Sequence, residues 1–165
     1  MIKNVLITGG AGYIGSHVAE LLIKDKKKVF IVDNLSTGFR KLINKKSKFY
    51  KNDILNVTKI KKIINDNKID SVIHLAAALS VGEGQKFPNK YNKINVEGTK
   101  RLLLAIMGSK VKNFVFSSTC AVYKDGLAKV SERSKLLPRS IYGKTKLKGE
   151  KLIKNFCKKN NINSA

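Results

Sequence analysis

The chain has no tryptophan, two prolines, two cysteines, and only 11 acidic residues against 34 lysines and arginines. Cys120 and Cys157 form no CxxC pair and have no second pair beside them. That argues against a disulfide framework or a zinc site and fits a reducing cytoplasm. No apolar run reaches the roughly 18 residues that a membrane-crossing helix needs. The opening MIKNVLITGG (1–10) has a lysine and a short apolar stretch, but its glycines come too early for a secretory leader. It reads instead as a buried strand and a turn. Hydrophobic residues make up 42% of 165 positions, too many for disorder and enough for one core, so one domain is expected.

The shortage of acidic residues leaves a formal net charge of +23, which on its own suggests nucleic acid or an anionic surface. The lysines, however, are spread along the whole chain, and no aromatic-rich RNA-binding signature, zinc finger or helix-turn-helix pattern accompanies them. A specific nucleic-acid partner is therefore not expected, although salt-sensitive attraction to polyanions is.

What is present is a repeating unit: a short β-branched apolar run, a turn, then a helical pattern. Strands are expected at 4–8, 28–33, 48–53, 71–76 and 113–118, with helices near 14–25, 57–67, 90–109 and 141–159. Alternation of this kind implies βαβ units and a parallel sheet covered on both faces. NVLIT (4–8) and NFVFSS (113–118) are nearly continuous apolar runs, as doubly buried strands should be. Right-handed crossovers then give an α/β, doubly wound sheet of the Rossmann type. The last residues, NNINSA (160–165), fall where a further strand should begin.

Directly after the first strand stands GGAGYIG, with Gly9, Gly12 and Gly15 in GxxGxxG spacing before the helical pattern IGSHVAELLI (14–23). The first glycine permits a tight turn, the second lets backbone approach a pyrophosphate, and the third allows helix to pack on strand. The helix N-terminus adds N–H donors. Asp33 ends the second strand, placed to accept from adenosine ribose hydroxyls and to repel a 2′-phosphate. These residues favour NAD over NADP.

With DNLSTG (33–38), DI (53–54), HLAA (74–77), NV (95–96), SSTCAVY (117–123) and IYGKTK (141–146), the chain from Val5 to about Glu150 resembles the extended short-chain dehydrogenases/reductases. Within them it is most similar to the UDP-glucose 4-epimerases. The resemblance implies an NAD-binding Rossmann domain over 1–165, without the C-terminal substrate domain of a family about twice as long. It implies that Tyr13 and Ile14 offer backbone donors to the pyrophosphate, and that Asp33, Asn34, Leu35, Ser36, Thr37 and Gly38 surround the adenosine ribose. Asp53 and Ile54 would flank adenine, Leu75, Ala76 and Ala77 would line the groove, Ser117 would border it, and Asn95 would brace it through side-chain hydrogen bonds. His17 and His74 occupy structural positions in this pattern. No metal is implied. The implied partners are a UDP-sugar and, for a full-length protein, a second copy of the chain.

Tyr142 and Lys146 lie four apart, on one helical face, whereas Lys144 points elsewhere. A phenol of pKa about 10 is a poor base at neutral pH, and lowering it by roughly three units needs about 4 kcal/mol of phenolate stabilisation. A nearby ammonium and a positive nicotinamide ring act in that direction. The resemblance adds Thr119, whose hydroxyl would bridge the sugar oxygen and Tyr142. The expected catalytic set is Thr119, Tyr142 and Lys146.

Two positions depart from the pattern: Lys124 and Gly84 stand where the family usually has glycine and serine. Three rival readings remain at this stage. A sibling 4,6-dehydratase would need Asp-Glu after the threonine, where Cys120 and Ala121 stand; a related decarboxylase or uronate epimerase would differ beyond Ala165. The others are a non-catalytic dinucleotide-binding module and a basic nucleic-acid-binding domain.

Overall fold

The computed structural model describes residues 2–126 and 129–165. Six parallel strands, β1 (Asn4–Thr8), β2 (Lys28–Asp33), β3 (Lys48–Lys51), β4 (Ser71–His74), β5 (Asn113–Phe116) and β6 (Asn163–Ser164), form one sheet. Their order is β3-β2-β1-β4-β5-β6. The chain starts in the middle, winds outward to one edge, then returns and winds to the other. That reversal opens a crevice at the C-terminal ends of β1 and β4.

Alternation along the strands sends side chains to two cores. On one face, α1 (Tyr13–Lys24) lays Ala19 over Val5, Ile7, Val29 and Ile31. On the other, Leu6, Phe30, Val32, Val72 and Phe114 meet α2 (Val57–Asp66), α5 (Gly98–Ile106) and α6 (Ile141–Asn160). In α2, Ile60, Ile63 and Ile64 follow helical spacing and are buried, each contributing about 2 kcal/mol. Asn56 caps that helix by accepting from Lys59 N. Among the described residues no helix is long and apolar enough to cross a membrane.

The expected strands at 48–53, 71–76 and 113–118 end early, at Lys51, His74 and Phe116. Beyond these points the strands part around the crevice; Ser117 N still reaches His74 O at 3.2 Å before the ladder stops. The helix expected near 90–109 runs from Pro88 to Ile106 as α4 (Pro88–Tyr91), a π-helical turn (Asn92–Glu97) and α5. Pro88 suits a first helical position because its missing N–H has no partner to lose there. An unexpected short helix, α3 (Val81–Lys86), is capped by Ser80. Its Gly84 lies against the buried ring of Tyr91, which a Cβ would approach to 3.2 Å. The strand expected to begin within 160–165 is β6, paired in parallel with β5.

Candidate active site

The glycine turn closes the N-terminal side of the crevice. Gly9 has φ +76°, and a Cβ there would lie 2.7 Å from Ala76 N, so the turn packs directly on the chain leaving β4. A Cβ on Gly15 would strike Gly9 O and come within 2.7 Å of Gly10 Cα. Gly12 differs: the only atom within reach of its Cβ position is Gly9 O at 3.4 Å, so its outer side is open. Side chains cap α2, α3 and α6, from Asn56, Ser80 and Ser140, whereas α1 has no side-chain cap. Its first N–H groups, at Tyr13, Ile14 and Gly15, precede any intrahelical partner. Tyr13 and Ile14 are 77% and 58% exposed. An open glycine at an uncapped helix N-terminus is the shape and charge that a pyrophosphate needs.

Asp33 is fixed at the mouth of this turn. Its carboxylate accepts from Ala11 N at 3.0 Å and Leu35 N at 2.8 Å, with Leu35 in the left-handed region at φ 61°. Both contacts leave lone pairs for ribose hydroxyls. Asn34, Ser36 and Thr37 are exposed. Gly38 sits so close to Ala11 that a Cβ would be 2.9 Å from its carbonyl carbon. Asn34 Nδ2 donates to Asp53 Oδ2 at 2.9 Å, tying the ribose loop to the residue expected at adenine. Asp53 Oδ1 accepts from Leu55 N at 2.9 Å. The side chain of Ile54 points inward, buried, its Cδ1 2.6 Å from where Gly98 would carry a Cβ. Leu75, Ala76 and Ala77 are half-buried along the wall.

A row of cross-strand partners governs the far side. Thr8 pairs with His74, and His74 with Phe116. His74 is fully buried, with Nδ1 2.7 Å from Thr8 Oγ1 and Nε2 3.0 Å from Thr99 Oγ1. Thr99 gives its proton to Asn95 O at 2.7 Å, so it can only accept from the ring. The proton is therefore on Nε2, and Nδ1 accepts from Thr8. Burial first, and the Lys146 charge second, push this imidazole down to about 3. It is neutral and structural, as expected, while His17 is exposed on α1.

The π-helical turn aims Asn95 into the fold, where it is 2% exposed. Its Oδ1 accepts from Ala78 N at 2.8 Å, and its Nδ2 donates to Ala78 O at 3.1 Å and Thr145 Oγ1 at 3.1 Å. Thr145 in turn donates to Tyr142 O at 2.8 Å. Asn95 thus links the chain at Ala78 to the first turn of α6.

That first turn carries Tyr142, half-buried, and Lys146, 3% exposed. Ser140 caps the helix, accepting from Gly143 N at 3.0 Å. A Cβ on Gly143 would strike Ala121 O, so glycine lets α6 close onto the loop after β5. In that loop Thr119 Oγ1 accepts from Ala121 N at 3.2 Å, which leaves its own proton free to donate. Ser117 is half-buried beside it. Lys146 Nζ lies 4.0 Å from the centroid of Phe116. It has no hydrogen-bond or ion-pair partner among the described residues, unlike the surface cations Lys24, Lys62 and Lys90. Burial pulls the ammonium down to about 8, with the Glu150 charge acting in the opposite sense. A buried ammonium resting only on an aromatic face is costly.

Sequence reading did not find Phe116, Thr145 or Glu150. The i+4 spacing of Glu150 from Lys146 was the available signal. Among the described residues no group of three or more His, Cys, Asp or Glu is placed to hold a metal.

Known proteins are similar in sequence and share this fold. The NAD dependent epimerase/dehydratase family matches residues 5–165. The UDP-glucose 4-epimerase of Lactobacillus helveticus is 44% identical over 153 residues, covering 91% of this chain and 46% of that protein. UDP-arabinose 4-epimerase 1 of Arabidopsis thaliana is 36% identical over 171 residues, covering 98% of this chain and 41% of that protein. The crystal structure of UDP-glucose 4-epimerase from Brucella ovis in complex with NAD superposes with a TM-score of 0.94 at 35% identity, over 98% of this chain and 50% of the other. The chain therefore spans about half the length of the relatives it matches. On the family match, the sequence identity and the shared sheet together, the chain belongs to the NAD dependent epimerase/dehydratase family.

Proposed function

We propose that this chain is the cofactor-binding half of an NAD-dependent UDP-sugar 4-epimerase that interconverts UDP-glucose and UDP-galactose. The observation that carries the reading is Lys146: an ammonium buried without an acceptor among the described residues, one turn from Tyr142 and against Phe116 at the end of β5. The site fits a dinucleotide at both ends. Gly12, Tyr13, Ile14 and Gly15 would hold the pyrophosphate, Asp33 to Gly38 the ribose, and Asp53 with the backbone of Ile54 the adenine. Leu75, Ala76, Ala77 and Ser117 would line the way to Tyr142 and Lys146.

When bound, NAD supplies a reversible hydride acceptor at sugar C4. Tyr142, as phenolate, takes the proton of the 4-hydroxyl. Lys146 stabilises that phenolate, since an adjacent ammonium favours the charged form. Thr119 can donate toward the sugar oxygen because its lone pair already accepts from Ala121 N. After the 4-keto sugar has turned over in the site, the Tyr142 phenol would return the proton to O4, and addition of hydride at the other face of C4 would complete the inversion. Cys120 and Ala121 cannot relay the proton that a dehydratase needs, which supports epimerisation over elimination. Two unpaired cysteines suit a cytoplasmic enzyme, and the full-length protein would be a homodimer. The 165 residues alone would bind NAD weakly and not turn over.

The test extends the reading frame past Ala165 to the length of the relatives and assays UDP-galactose and UDP-glucose interconversion. Tyr142→Phe should lower kcat by several orders of magnitude with NAD still bound. Unchanged epimerisation in that variant removes Tyr142 as the base.

A further inference from the structure

Carboxylates are scarce in this chain, and nearly all of them have other partners. Six of the 11 pair with lysine or arginine: Glu20, Asp25, Asp66, Glu83, Glu97 and Asp125. Asp33, Asp53 and Asp70 accept from backbone N–H groups. Among the described residues Glu132 and Glu150 do neither, and of these two only Glu150 lies in α6. Lys148, Lys151 and Lys154 flank it in α6, yet its Oε1 accepts from the hydroxyl of Ser118 instead. That bond holds the side chain against the loop after β5, one residue before Thr119.

Glu150 is four residues beyond Lys146, so both project from one face of α6. The charged or titratable groups around the ammonium are few. From α6 they are Tyr142 on one side and Glu150 on the other. From β4 there is His74, neutral with its proton on Nε2. The β5 residue Phe116, and Asn95 and Thr145, bring no charge. Among the described residues Glu150 is thus the carboxylate one turn from the buried cation; its charge opposes the effect of burial on Lys146, and the two form no ion pair.

We propose that Glu150 is a positioning residue of this site: the carboxylate, pinned by Ser118 one helical turn from Lys146, that sets negative charge on the side of the buried cation away from Tyr142. This rests on the reading of Lys146 as the cation beside Tyr142. It adds a reason for Ser118: the hydroxyl fixes the carboxylate at a distance, so that Lys146 remains free for a ligand.

The experiment is a carbon-13 NMR titration of the lysine side chains in the 165-residue chain, with the Lys146 signal assigned by its loss in Lys146→Arg. Glu150→Gln keeps an oxygen for Ser118 and removes only the charge, so a purely structural role would leave Lys146 unmoved. The expected result is a Lys146 midpoint lower by about one pH unit. An unchanged midpoint overturns the proposal. Should Glu150→Gln fail to fold, Ser118→Ala reads the same coupling: releasing the carboxylate lets it approach the ammonium and should raise the midpoint, and no change or a fall overturns it. The titration needs no catalysis. Activity retained by Tyr142→Phe would remove the enzymatic reading while the coupling is still decided by the spectrum.

Discussion

Replacing Lys146 by methionine should make the folded chain more stable while destroying its site. In the native state burial lowers the ammonium from its ordinary 10.5 to about 8. Each pH unit corresponds to about 1.4 kcal/mol, so holding the charged form inside costs about 3 kcal/mol near pH 7. Methionine matches the length of the lysine stem and carries no charge. The substitution forfeits the contact of Nζ with the Phe116 ring, worth about 1 kcal/mol, leaving a net gain of about 2 kcal/mol. The pH dependence gives the sign. Between pH 8 and 10.5 the unfolded chain still holds its proton while the folded chain has lost it, so the wild type becomes more stable as pH rises. The advantage of Lys146→Met should therefore shrink across that window. Urea denaturation of both chains at pH 7, 8.5 and 10, followed by circular dichroism, measures it. A destabilised variant at pH 7, or an advantage that persists to pH 10, would refute the reasoning.

His74 gives a dependence of the same sign in a lower pH window. Its folded-state value of about 3 lies below its ordinary 6.5, so stability is lost as pH falls below 6.5, by about 2 kcal/mol at pH 5, and His74→Gln should flatten that slope in urea melts. Gly9→Ala forces a Cβ toward Ala76 N at φ +76°; strain and overlap should cost about 3 kcal/mol in the same assay. Asn95→Ala removes three side-chain hydrogen bonds around Ala78 and Thr145 and should cost about 3 kcal/mol, with faster amide exchange at Ala78.

The fold could be read from the sequence because its signals were local and consistent. The runs at 4–8 and 28–33 name doubly buried strands, and GGAGYIG names the turn between the first strand and first helix. Strand ends were overextended where the sheet parts at the crevice, since Asp53, Leu75 and Ser117 look like strand continuations until the neighbouring strand has gone. The π-helical turn was invisible because nothing in NKINVE signals a change of helical period, and the bonds of Asn95 to Ala78 and Thr145 join residues far apart in sequence. Tyr142 and Lys146 were legible by spacing and order. Burial of Lys146 against Phe116 was not, because it depends on β4 and β5 lying side by side, and neither did the 3.6-residue period disclose that Glu150 turns to Ser118 and away from three nearby lysines.

The central claim is that one crevice receives a dinucleotide from the glycine turn to Lys146. Amide and lysine NMR spectra of the labelled 165-residue chain, recorded with increasing NAD, test it most directly. The predicted result is a single saturable set of shifts at Gly12, Tyr13, Ile14, Gly15, Leu35, Ala76 and the Lys146 side chain, reduced in Gly12→Val. Shifts confined to surface lysines and abolished by salt, with the glycine turn and Lys146 unmoved, would contradict it.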